Sequence, residues 1–223
     1  MPTQVQILSP TLFKMEKILV FAAHSDDEVI GMGGTIAKNS RDGNKVLTII
    51  FTSGEKSHPH IKKRIIAKKR KSETLKIDKT LGRESINLGL AEGKLRKEFE
   101  NKETIERIKD IVKKFKPDRV YTLFRSDPHP DHIAVSEITL KILDEIKYKG
   151  DVYTYEVWNI VEDNRPKVYV DITNVFDIKK EALKEFKSQR HFVYPLWLPM
   201  YFRARMYGRR CNCKFAEKFY KIR

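Results

Sequence analysis

The 223-residue sequence has little cysteine and no long apolar run. Its two cysteines, Cys211 and Cys213, are too few for a disulfide framework or a four-cysteine zinc module. No stretch of about 18 apolar residues is present, so we expect no transmembrane helix. The first 21 residues lack the basic, apolar and small-residue regions of a secretory signal. We therefore expect two reduced thiols in a cytoplasmic protein.

Acidic residues are scarce relative to basic ones, with 30 Asp and Glu against 45 Lys and Arg. The basic excess lies in two segments. Residues 61–79 carry nine basic and two acidic residues, and residues 201–223 carry eight basic residues and one acidic residue. Such surfaces fit a nucleic acid, an anionic membrane surface or an anionic substrate. They also fit two solvated surfaces that only keep the protein soluble. Nucleic acid is the less favoured partner, and peripheral membrane contact stays open.

Strands and helices alternate along the chain. Apolar runs predict strands at residues 17–23, 46–51, 85–90, 119–124, 151–158 and 168–172. Helices are predicted at residues 29–39, 61–81, 102–115, 132–147 and 176–188. The alternation indicates an α/β, Rossmann-like three-layer fold with a mostly parallel sheet. We expect a single domain over residues 1–223, with a small basic C-terminal appendage.

Two polar loops each follow a predicted strand. Together they hold His24, Asp26, Asp27, Glu28, His129, Asp131 and His132. Ligands of open α/β sheets bind beyond the carboxyl ends of the strands. Adjacent carboxylates repel one another, and a divalent metal bound by His and Asp would relieve that repulsion. Two ligands from the first loop and one from the second would build a catalytic site, although the acids could instead cap the following helices.

These loops resemble the signatures of a known family. Residues 23–28, AHSDDE, resemble the AHPDDE signature of the PIG-L-type (LmbE-like) zinc-dependent de-N-acetylases, and residues 129–132 match its HPDH signature. Weaker similarities follow in the family's order, at residues 52–55, residues 70–73 with 81–82, residues 171–173 followed by Lys180 to Gln189, and Ala216 to Phe219. Ser25 stands where proline is usual, but no ligand is lost.

The resemblance implies roles for six residues of the two loops and for Arg70. His24, Asp27 and His132 would bind Zn²⁺, or another divalent metal such as Fe²⁺. Asp26 would be the general base and then the acid. His129 would stabilise the oxyanion as an imidazolium, with Asp131 fixing its tautomer and charge. Arg70 would contact the substrate, an N-acetylglucosamine-type sugar conjugate from which acetate is released.

Three functional hypotheses follow from these observations. The first is the zinc-dependent N-deacetylase, whose sugar conjugate could be anionic or lipid-linked. The second is a basic protein that binds nucleic acid or a membrane surface without catalysis. The third keeps the hydrolysis but changes the substrate, for example to a thiol-pathway sugar conjugate or an aminoglycoside precursor. A tightly held metal separates the first from the second, whereas the sequence does not separate the first from the third.

Overall fold

The structure is a computed structural model that describes residues 6–7, 15–54 and 63–223. Side chains are described for residues 15–54 and 65–223. Glu55 of the family resemblance lies outside these residues. The described part contains one sheet in the order β1-β7-β8-β6-β5-β2-β3-β4. Its strands are β1 (Gln6–Ile7), β2 (Lys17–Ala22), β3 (Lys45–Thr52), β4 (Glu84–Leu90), β5 (Arg119–Leu123), β6 (Asp151–Tyr155), β7 (Lys167–Asp171) and β8 (Ala216–Lys221).

Helices connect the strands and pack in two groups. They are α1 (Asp27–Arg41), α2 (Lys63–Leu81), α3 (Leu95–Glu98), α4 (Lys102–Phe115), α5 (Pro130–Glu145), α6 (Phe176–Lys184), α7 (Arg190–Val193) and α8 (Trp197–Arg210). Helix α1 packs against α2 and α6, whereas α5 packs against α3. The predicted α/β class with a mostly parallel sheet is confirmed.

The centre of the sheet places the two polar loops side by side. Strand β2 is fully buried from Leu19 to Ala22, as its apolar run predicts, and it pairs in parallel with both β3 and β5. The chain passes from β2 to β3 and β4 on one side, and later to β5 and β6 on the other. The order of the strands therefore reverses between β2 and β5, where α/β sheets bind their ligands.

The C-terminal segment departs from the predicted appendage. Strand β8 lies inside the sheet, antiparallel to both β6 and β7. Its charged residues suggested a solvent-exposed segment, but Glu217 and Lys218 are buried. Lys218 Nζ lies 2.8 Å from Glu156 Oε1, and Glu217 Oε1 accepts from Lys179 Nζ at 2.6 Å. Because both charges are paired, the strand can lie between two others.

Candidate active site

The turn from β2 into α1 is held by the acidic residues themselves. Asp27 Oδ2 accepts a hydrogen bond from the backbone N–H of His24 at 2.8 Å. Asp27 and Glu28 occupy the first turn of α1, where the positive end of the helix dipole favours acidic side chains. The helix therefore begins at Asp27, two residues earlier than predicted, and the successive acids are stabilised where they stand.

Helix α5 also begins two residues earlier than predicted. Pro130 lies in its first turn, where the missing N–H removes no helical hydrogen bond. His129 is the N-cap, and its Nδ1 accepts from the backbone N–H of Asp131 at 3.2 Å. Asp127 Oδ1 accepts from the N–H of His129 at 2.8 Å. These local bonds place His132 beside Asp27 of the other loop.

His24, Asp27 and His132 form a buried cluster in which one ligand atom of each lies within 4.8 Å of the others. His132 Nε2 is 3.1 Å from Asp27 Oδ1, and His24 Nδ1 is 3.4 Å from Asp27 Oδ2. His24 Nε2, Asp27 Oδ1 and His132 Nε2 are buried yet make no hydrogen bond of good geometry with any described residue. Two imidazoles and one carboxylate are a donor set that Zn²⁺ accepts, so these residues fit the predicted metal.

The electrostatics of the cluster also favour a cation. Burial opposes ionisation of Asp27, but attraction to His132 and His24 outweighs it and lowers the Asp27 pKa. Burial likewise opposes protonation of the histidines, but attraction to Asp27 raises the pKa of His132 to about 9 and that of His24 well above its usual value. The carboxylate is thus charged and stabilises positive charge beside it. A divalent cation would supply that charge in place of the imidazole protons.

Asp131 makes different contacts from those predicted. Its Oδ2 accepts from the backbone N–H of Gly93 at 2.7 Å and lies 3.5 Å from His24 Nε2. The bond to His129 Nδ1 comes from the Asp131 backbone, so the amide rather than the carboxylate fixes the His129 tautomer. Burial and the charges of His24 and His132 lower the pKa of His129. This shift disfavours the predicted imidazolium form of His129.

A pocket of about 220 Å³ opens over the cluster. Its lining includes His24, Asp26, Asp27, Arg70, Glu92, His129, Trp158, Gln189 and Phe192. Asp26 Oδ2 accepts from Gln189 Nε2 at 2.8 Å. Burial and the neighbouring Asp27 charge raise the Asp26 pKa, although Arg70 and His24 oppose the rise. The structure thus brings the predicted base to the wall of the same pocket as the metal-ligand cluster.

Arg70 reaches this pocket from α2. It is buried, and its guanidinium lies against Gly54, where an added Cβ would lie 1.6 Å from Nη1. Gly54 has a φ of +62°, a conformation that glycine adopts without strain. On the same helix, Lys68, Lys69 and Lys71 are exposed, as expected for most of its basic residues.

A sequence model of the PIG-L family, described as GlcNAc-PI de-N-acetylase, matches residues 19–143. The chain belongs to the PIG-L family. The match spans both signature loops, and the expected family and an enzymatic function are thereby confirmed. Because the family model is described as a de-N-acetylase, the second hypothesis, a binding protein without catalysis, is not supported.

Two PIG-L relatives cover most of the chain. A diacetylchitobiose deacetylase from Thermococcus kodakarensis is 26% identical over 91% of this chain and 82% of its own length. A probable N-acetyl-α-D-glucosaminyl L-malate deacetylase from Bacillus subtilis is 30% identical over 78% of this chain and 83% of its own. Both names describe deacetylases that act on N-acetylated sugars.

Solved structures share the fold across nearly the whole chain. N,N'-diacetylchitobiose deacetylase from Pyrococcus horikoshii has a TM-score of 0.80 and 22% identity, and covers 97% of this chain and 87% of that chain. The 4-carboxy-2-hydroxymuconate hydratase GalB from Pseudomonas putida also has a TM-score of 0.80, with 20% identity, 94% coverage of this chain and 97% of that chain. Since this fold carries two reaction types, the reaction must be argued from the site.

Four side chains that support the site are not among the candidate residues predicted from the sequence. Asp127 lies 3.0 Å from His132 Nδ1, and its position in the polar loop was the available signal. Gln189 belongs to a segment noted only as a family similarity. Trp158 packs near the rings of His132 and His129. Arg83 had no sequence signal.

Arg83 contacts the acidic loop through Glu28. Its Nη2 lies 2.7 Å from Glu28 Oε1, and its Nε donates to Asp78 at 2.9 Å. Burial raises the pKa of Glu28 to about 8 against the attraction of Arg83. Glu28, the third acid of the signature, therefore belongs to a buried network with Arg83 and Asp78. Asp26 and Asp27 line the pocket.

Proposed function

We propose that this protein is a metal-dependent N-deacetylase that releases acetate from an N-acetylglucosamine-type sugar conjugate. His24, Asp27 and His132 hold the metal, which we propose to be Zn²⁺. The observation that carries the proposal is the buried three-donor cluster, two of whose members, His24 and Asp27, line a pocket whose wall also carries Asp26. The names of the PIG-L relatives support the acetamido sugar as substrate.

The metal ligands are arranged by their own neighbours. When bound, Zn²⁺ would supply a Lewis acid that polarises the amide carbonyl and increases the acidity of water. Asp127, at 3.0 Å from His132 Nδ1, keeps a proton on that nitrogen and leaves Nε2 as the ligand. The backbone N–H of His24 holds Asp27 Oδ2 at 2.8 Å. Fe²⁺ accepts the same donor types, so metal analysis has to identify the ion.

Asp26 carries the proton in the proposed reaction. It takes a proton from the attacking water as the oxygen adds to the amide carbon. It then gives that proton to the sugar nitrogen as the C–N bond breaks, so that acetate and a free amine leave. Its raised pKa suits both steps, because a group that titrates closer to neutral pH can accept and return a proton. The bond from Gln189 fixes one carboxylate oxygen.

His129 stabilises the tetrahedral oxyanion as a neutral donor. Its Nδ1 accepts from the Asp131 amide, so the ring proton lies on Nε2. A neutral N–H donor in a partly buried pocket strengthens its hydrogen bond as negative charge develops on oxygen. Arg70, held against Gly54 in the pocket wall, is the proposed substrate contact.

Acetate release by protein of known metal content tests the proposal. The substrate panel is N-acetylglucosamine, diacetylchitobiose and an N-acetylglucosaminyl malate. We expect one acetate and one free amine per turnover on at least one compound, loss of activity on chelation, and recovery on addition of Zn²⁺ or Fe²⁺. Full metal occupancy with no acetate release from any compound would contradict the proposal, as would activity unaffected by complete removal of the metal.

A further inference from the structure

The segment from residue 186 to residue 216 contains no Asp or Glu and seven Lys or Arg. It includes α7, a 3-10 turn at Tyr194–Leu196 and α8, and it leads from Gln189 in the pocket to β8. Thirty-one successive residues without an acid are unusual in a chain that carries 30 acids in total. The surface of this segment is therefore locally positive.

The same segment exposes a row of large apolar side chains. Of the nine large hydrophobic residues exposed in the described part of the chain, five lie between residues 192 and 206. Leu198 is 63% exposed, Phe202 61% and Met206 39%. Their spacing of four residues places them on one face of α8, and Tyr194 precedes Leu198 by the same interval. Single exposed apolar residues are common, but a continuous row marks an interaction surface.

Basic side chains border this apolar row. Arg209 follows Met206 by three residues and is exposed. Arg205 follows Phe202 by three residues and is half-buried, and its Nη1 donates to the carbonyl of Lys214 at 3.1 Å. At the other end, the Arg190 guanidinium lies over the Tyr194 ring, 5.0 Å from its centroid. We call Tyr194, Leu198, Phe202 and Met206 with these three arginines the α8 face.

We propose that the α8 face docks on the surface of an anionic lipid bilayer. Apolar side chains with Lys and Arg beside them are the composition of helices that lie in the membrane interface. The lipid head groups would supply the negative charge that this segment lacks. No helix in the described residues is long and apolar enough to cross a membrane, so the contact is a surface contact.

Other occupants fit this face less well. A second copy of the chain would bring two acid-free basic surfaces together, and like charges oppose such an interface. A nucleic acid would match the arginines and could stack on Tyr194 and Phe202, but it would leave the alternating Leu198 and Met206 without an apolar partner. A bilayer satisfies both the apolar row and the positive charge.

The α8 face begins beside the candidate active site. Phe192 is exposed and also belongs to the pocket lining that contains His24 and Asp26. Docking through α8 would therefore bring the pocket rim close to the bilayer. The docking proposal is independent of the proposed deacetylase activity, because binding is measured without substrate.

Co-sedimentation of the full chain with phosphatidylcholine vesicles, with and without phosphatidylglycerol, tests the proposal. We expect binding only to the anionic vesicles, weakening as salt rises. The double variant Leu198→Ser, Phe202→Ser should bind at least about tenfold more weakly. The matched control Leu75→Ser, Ile160→Ser changes two residues that are 62% and 55% exposed elsewhere, and it should bind like the wild type.

Charge variants separate the contribution of the arginines to vesicle binding from that of the apolar side chains. Arg205→Gln with Arg209→Gln should weaken vesicle binding and reduce its salt dependence, whereas Lys113→Gln with Lys114→Gln, on the exposed surface of α4, should not. Unchanged thermal melting confirms that each variant folds. Deacetylation of a soluble acetamido sugar should be unaffected in all of them, so failure of docking and failure of the proposed activity are distinguishable.

Three outcomes would overturn the docking proposal. The first is no binding to anionic vesicles. The second is equal loss of binding in the α8 and control variants. The third is a wild-type dimer in sedimentation velocity that Leu198→Ser, Phe202→Ser dissociates, because the α8 face would then contact a second copy.

Discussion

Asp127 contacts both histidines of the second loop. Its Oδ1 lies 3.0 Å from His132 Nδ1 and accepts from the backbone N–H of His129 at 2.8 Å. One carboxylate therefore lies beside a proposed metal ligand and holds the backbone of the proposed oxyanion donor, and we expect it to favour a proton on His132 Nδ1. Partners of this kind orient a ligand and increase its basicity.

Asp127→Asn should weaken metal binding while leaving the three proposed ligands in place. Loss of the negative charge behind His132 removes the orientation of its ring, and we expect metal affinity to fall by about 10- to 100-fold. Competition with a chelator measures the affinity. Asp110→Asn, at an exposed position of α4, is the control and should keep wild-type affinity. Equal affinities in the two variants would contradict the role of Asp127.

Much of the site follows from residue types and motif order, because the two signatures specify His24, Asp27 and His132 and the fold brings them together. The contacts of Asp131 did not follow from the sequence. They depend on a backbone N–H from Gly93, 38 residues away, and on the cap of α5, and neither leaves a side-chain signal. The roles of the site residues stay predictions until variants are measured.

At the scale of elements, α1 is interrupted and its two parts are held by a buried ion pair. Met32 has a non-helical φ of −144°. Beyond it, the N–H groups of Gly34 and Thr35 donate to the Glu217 carboxylate at 3.0 and 2.7 Å. Lys179 Nζ donates to Glu217 and to the carbonyl of Ile30. This contact fixes the first part of α1, which carries Asp27, against α6 and β8.

Lys179→Met should destabilise the protein strongly. It leaves the Glu217 carboxylate buried without its cation, and loss of one partner of a buried pair costs about 3–5 kcal/mol. Lys180→Met changes the neighbouring residue, which pairs with Asp177 at the surface, and should change the free energy of unfolding by less than about 0.5 kcal/mol. Urea unfolding compares the two. A loss in Lys179→Met as small as the loss in Lys180→Met would mean that the buried pair contributes little to the free energy of unfolding.

The family similarity of the late segment names Lys180, whereas the buried pair uses the preceding residue. The buried lysine is Lys179. Apolar runs predicted β2 and β3 because both faces of these strands are apolar. They did not predict β8, where Glu217 and Lys218 are buried against partners 38 and 62 positions away in the chain. Hydrophobic periodicity does not reveal such pairs.

At the scale of the whole molecule, the net charge of +15 is distributed over separate surfaces. Lys68, Lys69 and Lys71 are exposed on α2, whereas Arg70 between them is buried in the pocket wall. One basic helix thus provides both a proposed substrate contact and a positive surface near it. All described strands belong to one sheet, and the single domain over residues 1–223 stays a prediction.

Salt should distinguish charged from neutral substrates. If the α2 lysines steer an anionic acetamido sugar, its kcat/KM should fall as ionic strength rises, since charges are screened over about 8 Å at physiological salt. A neutral acetamido sugar should show little change. Lys68→Gln, Lys69→Gln and Lys71→Gln together should lower kcat/KM for the anionic compound by up to about tenfold. Equal salt insensitivity for both compounds would assign these lysines to solubility alone.

The most direct test of the account is metal content and deacetylation rate measured on one preparation of Asp26→Asn. The asparagine keeps the volume and can still accept from Gln189, but it cannot take a proton from water. The account predicts wild-type metal content and a kcat/KM lower by roughly 10²- to 10⁴-fold. An empty metal site in this variant would make Asp26 a ligand, and an unchanged rate would remove it from the chemistry. Either result would contradict the division of roles between Asp26 and the His24, Asp27 and His132 cluster.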